Sequence, residues 1–127
     1  MRKILFIIAT ITILLGCKKD EMTGEQWYNL SIKKSGEIHM LAGNYTCSDI
    51  PNLSIQTISE RFDCLQYLII HTKDLDKFNK LKTEYEQYVA NAKKAGGVMV
   101  TLQSCPRNDV NREIICQDTK PTIVINK

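Results

Sequence analysis

Between Gln26 and Lys34 polar and apolar side chains alternate, with Tyr28, Leu30 and Ile32 on one side of an extended chain and Asn29, Ser31 and Lys33 on the other. Ser35-Gly36 is a turn signal, and Ile38, Met40 and Ala42 then resume the period of two. The pattern predicts a β-hairpin with one buried face. Residues 48–64 carry two patterns at once. Thr57-Ile58-Ser59-Glu60 has the form of a capping box with Ile58, Phe62 and Leu65 on one helical face, whereas Leu53, Ile55 and Thr57 alternate as a strand would. The expectation here is a loop with a short helix. Leu65 to Thr72 is a continuous apolar run of strand length.

From Asp74 to Ala95 the period changes. Leu75, Phe78, Leu81, Tyr85, Tyr88, Val89 and Ala92 recur at helical spacing. Asp74 and Asp76 sit at the positive end of this segment, Lys93 and Lys94 at its negative end, and Gly96-Gly97 stops it. Val98–Gln103, Arg112–Cys116 and Thr122–Ile125 read as three further short strands, separated by turns at 106–109 and 118–121. The predicted fold class is α+β: a mostly antiparallel sheet of five to six short strands, with one long amphipathic helix (about 74–95) packed on one face. No internal repeat, low-complexity tract or second domain is visible.

The N-terminus follows a different rule. Arg2 and Lys3 precede Ile4 to Leu15, twelve residues broken only by Ala9, Thr10 and Thr12. A bilayer span needs ~20 apolar residues, so this run fits a secretory signal instead. A plain signal peptide cut near Gly16 would leave Cys17 as an ordinary thiol. The motif Leu14-Leu15-Gly16-Cys17, however, resembles the lipobox of bacterial lipoproteins. That resemblance implies a signal peptide over 1–16 and lipidation of Cys17 as the first mature residue; the polar, aperiodic composition that follows predicts a tether over 17–25, and the remaining length predicts one domain over 26–127. The resemblance also implies a lipid anchor in the cell envelope, on the outer membrane in a Gram-negative cell, facing the periplasm or the surface. Lys18 stands where an aspartate would resemble an inner-membrane retention signal, and Cys17-Lys18-Lys19-Asp20-Glu21 looks like a surface-export tag. Two or three acyl chains hold a domain on a membrane that one chain would hold only marginally.

Removal of residues 1–16 from the 127 leaves 111, enough for a single modest core. It also changes the charge balance. Of 17 basic and 14 acidic residues, Arg2 and Lys3 leave with the signal, so the mature chain carries 15 against 14. Lysines cluster between Lys73 and Lys94, but Asp74, Asp76, Glu84 and Glu86 are interleaved with them. There is no electrostatic case for a nucleic-acid partner. Four cysteines remain beside Cys17, and an even number in an exported chain predicts two disulfides. Three connectivities are open to four cysteines; the favoured one, Cys47–Cys64 with Cys105–Cys116, has each bridge bracket one local connection and close a loop of roughly 10–20 residues. None of the four lies at the close spacing of zinc ligands.

Candidate chemistry is sparse. His39 and His71 fall on separate predicted strands, outside any metal-binding spacing. Asp74-Leu75-Asp76 lacks companion ligands and matches a helix start. Trp27-Tyr28 is an aromatic pair of the kind found at binding surfaces. The Asn-X-Ser/Thr triplets at Asn29, Asn44 and Asn52 are expected to be chance matches, given the resemblance to a bacterial lipobox ahead of them. No cofactor, metal site, catalytic residue or defined binding residue is expected. The function expected is therefore a non-enzymatic, membrane-anchored module that binds an envelope protein, of inhibitor or immunity type. The alternative is a small-molecule or glycan-binding accessory lipoprotein. The anchor is directly testable: Cys17→Ser will abolish palmitate incorporation and membrane partitioning, and equal labelling of mutant and wild type would contradict the lipobox reading.

Overall fold

A reciprocal cap starts the first element. In the computed structural model, which describes residues 21–59, 64–97, 105 and 110–126, the Thr23 hydroxyl accepts from the Gln26 backbone N–H at 3.2 Å. The Gln26 side chain accepts in return from the Thr23 N–H at 2.8 Å. Helix α1 (Gly24–Leu41) follows. The predicted hairpin over 26–42 is thus a helix, which begins inside the segment assigned to the tether. The alternation of Tyr28, Leu30 and Ile32 is incidental. Gly24, Ser31 and Ile38 are the buried residues, and Trp27, Lys34 and Leu41 complete a 3-4 spacing on the same face. Glycine, serine and lysine at half of these positions conceal the stripe from a hydrophobic pattern. Gly36 lies in the middle of the helix with open space where a side chain would stand. It costs ~1 kcal/mol relative to alanine, so tertiary packing outweighs local preference here.

That packing comes from α2 (Leu75–Lys94), the helix expected from the sequence, entered through a single 3₁₀ turn at Thr72–Asp74. Phe78, Leu81, Tyr85 and Ala92 form its buried face. Gly96, at φ 72°, ends it in a Schellman motif: the Gly97 N–H reaches the Ala92 carbonyl and the Gly96 N–H reaches that of Lys93. The two helices run antiparallel. Gly24 meets Gly97, Trp27 stacks at 5.8 Å from Tyr88, and the Lys34 ammonium lies 2.8 Å from Glu84 and 3.1 Å from Glu37. Hydrogen bonds to Glu84 and Glu37 raise the Lys34 pKa, and the bond to Lys34 lowers that of Glu84.

A 3₁₀ turn (Cys47–Asn52) leads into β1 (Leu53–Ser59), which pairs antiparallel with β2 (Leu65–His71) from Leu53↔His71 to Ser59↔Leu65. Within the ambiguous 48–64 segment, a short 3₁₀ turn occupies 48–52 and the strand alternative prevails over 53–59, where the apolar run of β2 supplies a pairing partner; residues 60–63 lie outside the described residues. The second hairpin is β3 (Arg112–Gln117) with β4 (Lys120–Ile125). Pro121 opposes Cys116 in the second pair from the turn, a non-hydrogen-bonded pair, where its missing N–H removes no ladder bond. The fold is α+β with two small antiparallel sheets, in place of the single sheet of five to six strands expected from the sequence. The strand expected at 98–103 lies outside the described residues.

The layers follow from strand alternation. Ile58, Leu68 and Ile70 point from one face of the β1–β2 sheet into the core formed by Ile38, Phe78, Leu81 and Tyr85. The opposite face carries Tyr67 and Ile69 toward the β3–β4 hairpin, whose Arg112 guanidinium lies 3.6 Å from the centre of the Tyr67 ring. Among the described residues no helix is long and apolar enough to cross a membrane. Phe78 is fully buried at the centre of the core, whereas Lys80 is exposed. Phe78→Ala will therefore destabilise the domain by ~3–5 kcal/mol and Lys80→Ala by under ~0.5 kcal/mol in denaturant unfolding. Equal midpoints would contradict this packing.

Candidate functional site

The cysteines pair otherwise than by proximity in sequence. Cys47 joins Cys116 and Cys64 joins Cys105, with Cα–Cα distances of 5.3 and 5.1 Å. The expected Cys47–Cys64 and Cys105–Cys116 bridges do not form. The two bonds span sequence separations of 69 and 41 and are nested, one loop inside the other. The reason is topological: β3 lies against β1 and the 3₁₀ turn, which carries Cys116 to Cys47.

The outer bond anchors a corner where four segments meet. From α1 the chain turns through Gly43 and Asn44 to Tyr45, whose hydroxyl donates to the Leu41 carbonyl at the helix end and accepts from the His71 N–H at 3.2 Å. One phenol thus ties the end of α1 to the end of β2. Its ring lies 6.0 Å from that of His71. In the 3₁₀ turn the Asp49 carboxylate accepts from the Thr46 N–H at 2.8 Å and from the Thr46 hydroxyl at 2.9 Å. These bonds, backbone first, lower the Asp49 pKa, and the nearby His71 and Lys73 act in the same direction.

The fourth segment is the tip of the β3–β4 hairpin. Asp118 and Thr119 both have positive φ, 49° and 68°, as a two-residue turn joining right-twisted strands requires. Asparagine and glycine are the usual residues there. A β-branched threonine at φ 68° is strained, and this strain sits three residues from the anchored Cys116. Beside the tip, Ala42, Gly43, Tyr45, Ile69, Lys120 and Pro121 line a small open cavity of about 90 Å³. It has room for the end of a side chain and falls well below the ~300–1,000 Å³ of small-molecule sites.

The other residues singled out from the sequence do not converge on this corner. His39 is on α1. Its Nδ1–H donates to the Ser35 carbonyl at 2.8 Å, which leaves Nε2 to accept from the Gln66 amide at 2.9 Å. It bridges helix and sheet. Asp74 occupies the N-cap position of α2 and Asp76 its first turn, and no metal-binding group of side chains occurs among the described residues. Trp27 pairs with Tyr88 across the helices, rather than with its neighbour Tyr28. Cys17 lies outside the described residues. Tyr45, Lys120 and the strained tip escaped sequence reasoning. A tyrosine following Gly-Asn, and a two-residue connection between short strands, were the only available signals.

No known protein family matches the chain, and no curated protein or solved structure is significantly similar to it. The strained tip gives a sharp test. Thr119→Gly creates Asp-Gly, a favoured pair for this turn, and will raise stability by about 1 kcal/mol in chemical denaturation. A lower midpoint would mean that the threonine side chain makes a stabilising contact in place of the strain.

Proposed function

We propose that this chain is a lipid-anchored envelope protein whose mature domain is a non-enzymatic protein-binding module, with the clamped corner as its recognition surface. The observation that carries the reading is the strained Thr119 turn, held beside the 3₁₀ turn by Cys47–Cys116. Strain of this kind is retained where the surrounding structure over-determines it, commonly at binding and switch sites. A clamped loop loses little conformational freedom on association, which strengthens binding without further contact area. Tyr45 and Lys120 beside the tip supply an aromatic face and a cation, and the small cavity suits one side chain of a partner. Two disulfides suit an oxidising compartment outside the cytoplasm, as the lipobox resemblance implies. An inhibitor or immunity-type role fits a small, rigid domain of this form.

The small-molecule alternative has its own supporting feature, a groove of about 510 Å³ between the first turn of α1 and the last turn of α2. The two readings separate by cross-linking. Photoreactive residues placed at Asp118 and Lys120 in living cells will give discrete adducts with an envelope protein, and one at Asn29 on the exposed side of α1 will give none. Adducts from Asn29 alone would move the interface to the helices and overturn this assignment.

A further inference from the structure

The end of the helical hairpin opposite the clamped corner has a composition of its own. Gly24 and Gly97 bring the two backbones into direct contact there, and a Cβ on either would overlap the other residue. Beside this contact the 510 Å³ groove is lined by Glu21, Met22, Trp27, Asn91, Lys94 and Ala95. Its lining combines the half-buried Trp27 indole and the Met22 side chain, 36% exposed, with the exposed Lys94 ammonium, the Asn91 amide and the exposed Glu21 carboxylate. An indole and a long cationic side chain around an apolar recess match the chemistry of the membrane–water interface.

The length of chain outside the described structure limits what can occupy this groove. Cys17 precedes Gly24 by seven residues, a span of about 25 Å when fully extended. With acyl chains on Cys17, the groove cannot leave the headgroup region by more than that distance. Phospholipid is then present at an effective concentration that no diffusing ligand matches. Among the described residues the charges at this end are Lys93 and Lys94 against Glu21 and Glu25, an even balance. Attraction to anionic lipid is correspondingly modest, and the apolar contacts of Trp27 and Met22 provide the rest.

We propose that this end of the domain seats on the membrane interface, with a phospholipid headgroup and glycerol backbone in the groove and Lys94 against the phosphate. The proposal rests on the lipid-anchor reading. It gives the domain an orientation. The 18 residues of α1, at ~1.5 Å each, then hold the clamped corner about 27 Å out from the bilayer, where a partner can reach it.

Trp27 is the sole tryptophan, so its fluorescence reports on the groove alone. The lipidated full-length protein is reconstituted into phosphatidylcholine–phosphatidylglycerol vesicles carrying spin labels either near the headgroup or at the acyl-chain end. Trp27 emission will shift to the blue relative to the unlipidated Cys17→Ser protein in buffer, and the shallow label will quench it more than the deep one. Lys94→Glu, checked for unchanged secondary structure, will lower the ratio of docked to free domain about fivefold or more in anionic vesicles. Protein that incorporates palmitate and floats with the vesicles, yet keeps aqueous and unquenched Trp27 emission, would overturn the docking while leaving the anchor intact. Protein that neither incorporates palmitate nor floats would overturn the anchor, and the docking with it. A blue shift in vesicle-free envelope extract, with no quenching by labelled lipid, would assign the groove to a soluble small molecule and overturn the lipid.

Discussion

The nested pair of disulfides is the constraint on which the arrangement of this domain depends. A two-stranded hairpin is marginal in water on its own, and β3–β4 is such a hairpin, with Ile115 and Ile125 substantially exposed. Its apolar contact with the β1–β2 sheet is small beside the core that the helices share with that sheet. Cys47–Cys116 removes the freedom of the hairpin to leave, and Cys64–Cys105 ties Cys105 to the residue that precedes β2. Loops of this size are worth about 4 kcal/mol each in the chain-entropy model, less whatever the nesting makes redundant. For a domain whose whole stability is of order 5–15 kcal/mol, that is a large share.

The helical hairpin carries the remainder. Gly24 and Ser31 on α1 allow close approach to α2, while Ile38 and Phe78 fill the space where the helices meet the sheet. Ser31 is buried without penalty because its hydroxyl donates to the Tyr28 carbonyl at 2.7 Å. The two ends of this hairpin differ in chemistry. One ends in Tyr45 and the clamped corner; the other presents Trp27 and Lys94 beside the N-terminal end of α1. On the functional reading proposed above, the division is between contact with a partner and contact with a membrane.

Much of the fold was legible where several signals agreed. In α2 the period, the terminal charges and Gly96-Gly97 pointed the same way, and β2 and the final hairpin stood out as apolar runs bounded by turn residues. For α1 the signals conflicted. A period of two over Tyr28, Leu30 and Ile32 competed with a 3-4 spacing whose interior positions include glycine, serine and lysine, and Ser35-Gly36 looked like a turn. Only the surface of α2 decides between them. The number of disulfides follows from composition, but their pairing depends on β3 returning to β1, a non-local contact without a local sequence signal. The corner was hidden for the same reason, since Tyr45, His71 and Lys120 become neighbours only through tertiary folding.

The connectivity of the four cysteines tests this account most directly. Trypsin cuts after Arg61, Lys73, Lys94, Arg107 and Arg112, so each of Cys47, Cys64, Cys105 and Cys116 falls on its own peptide. Mass spectrometry of unreduced protein taken from its native compartment will find the Cys47 peptide joined to that of Cys116 and the Cys64 peptide joined to that of Cys105. Free thiols at these positions, or the local pairs Cys47–Cys64 and Cys105–Cys116, would contradict the clamp and everything built on it.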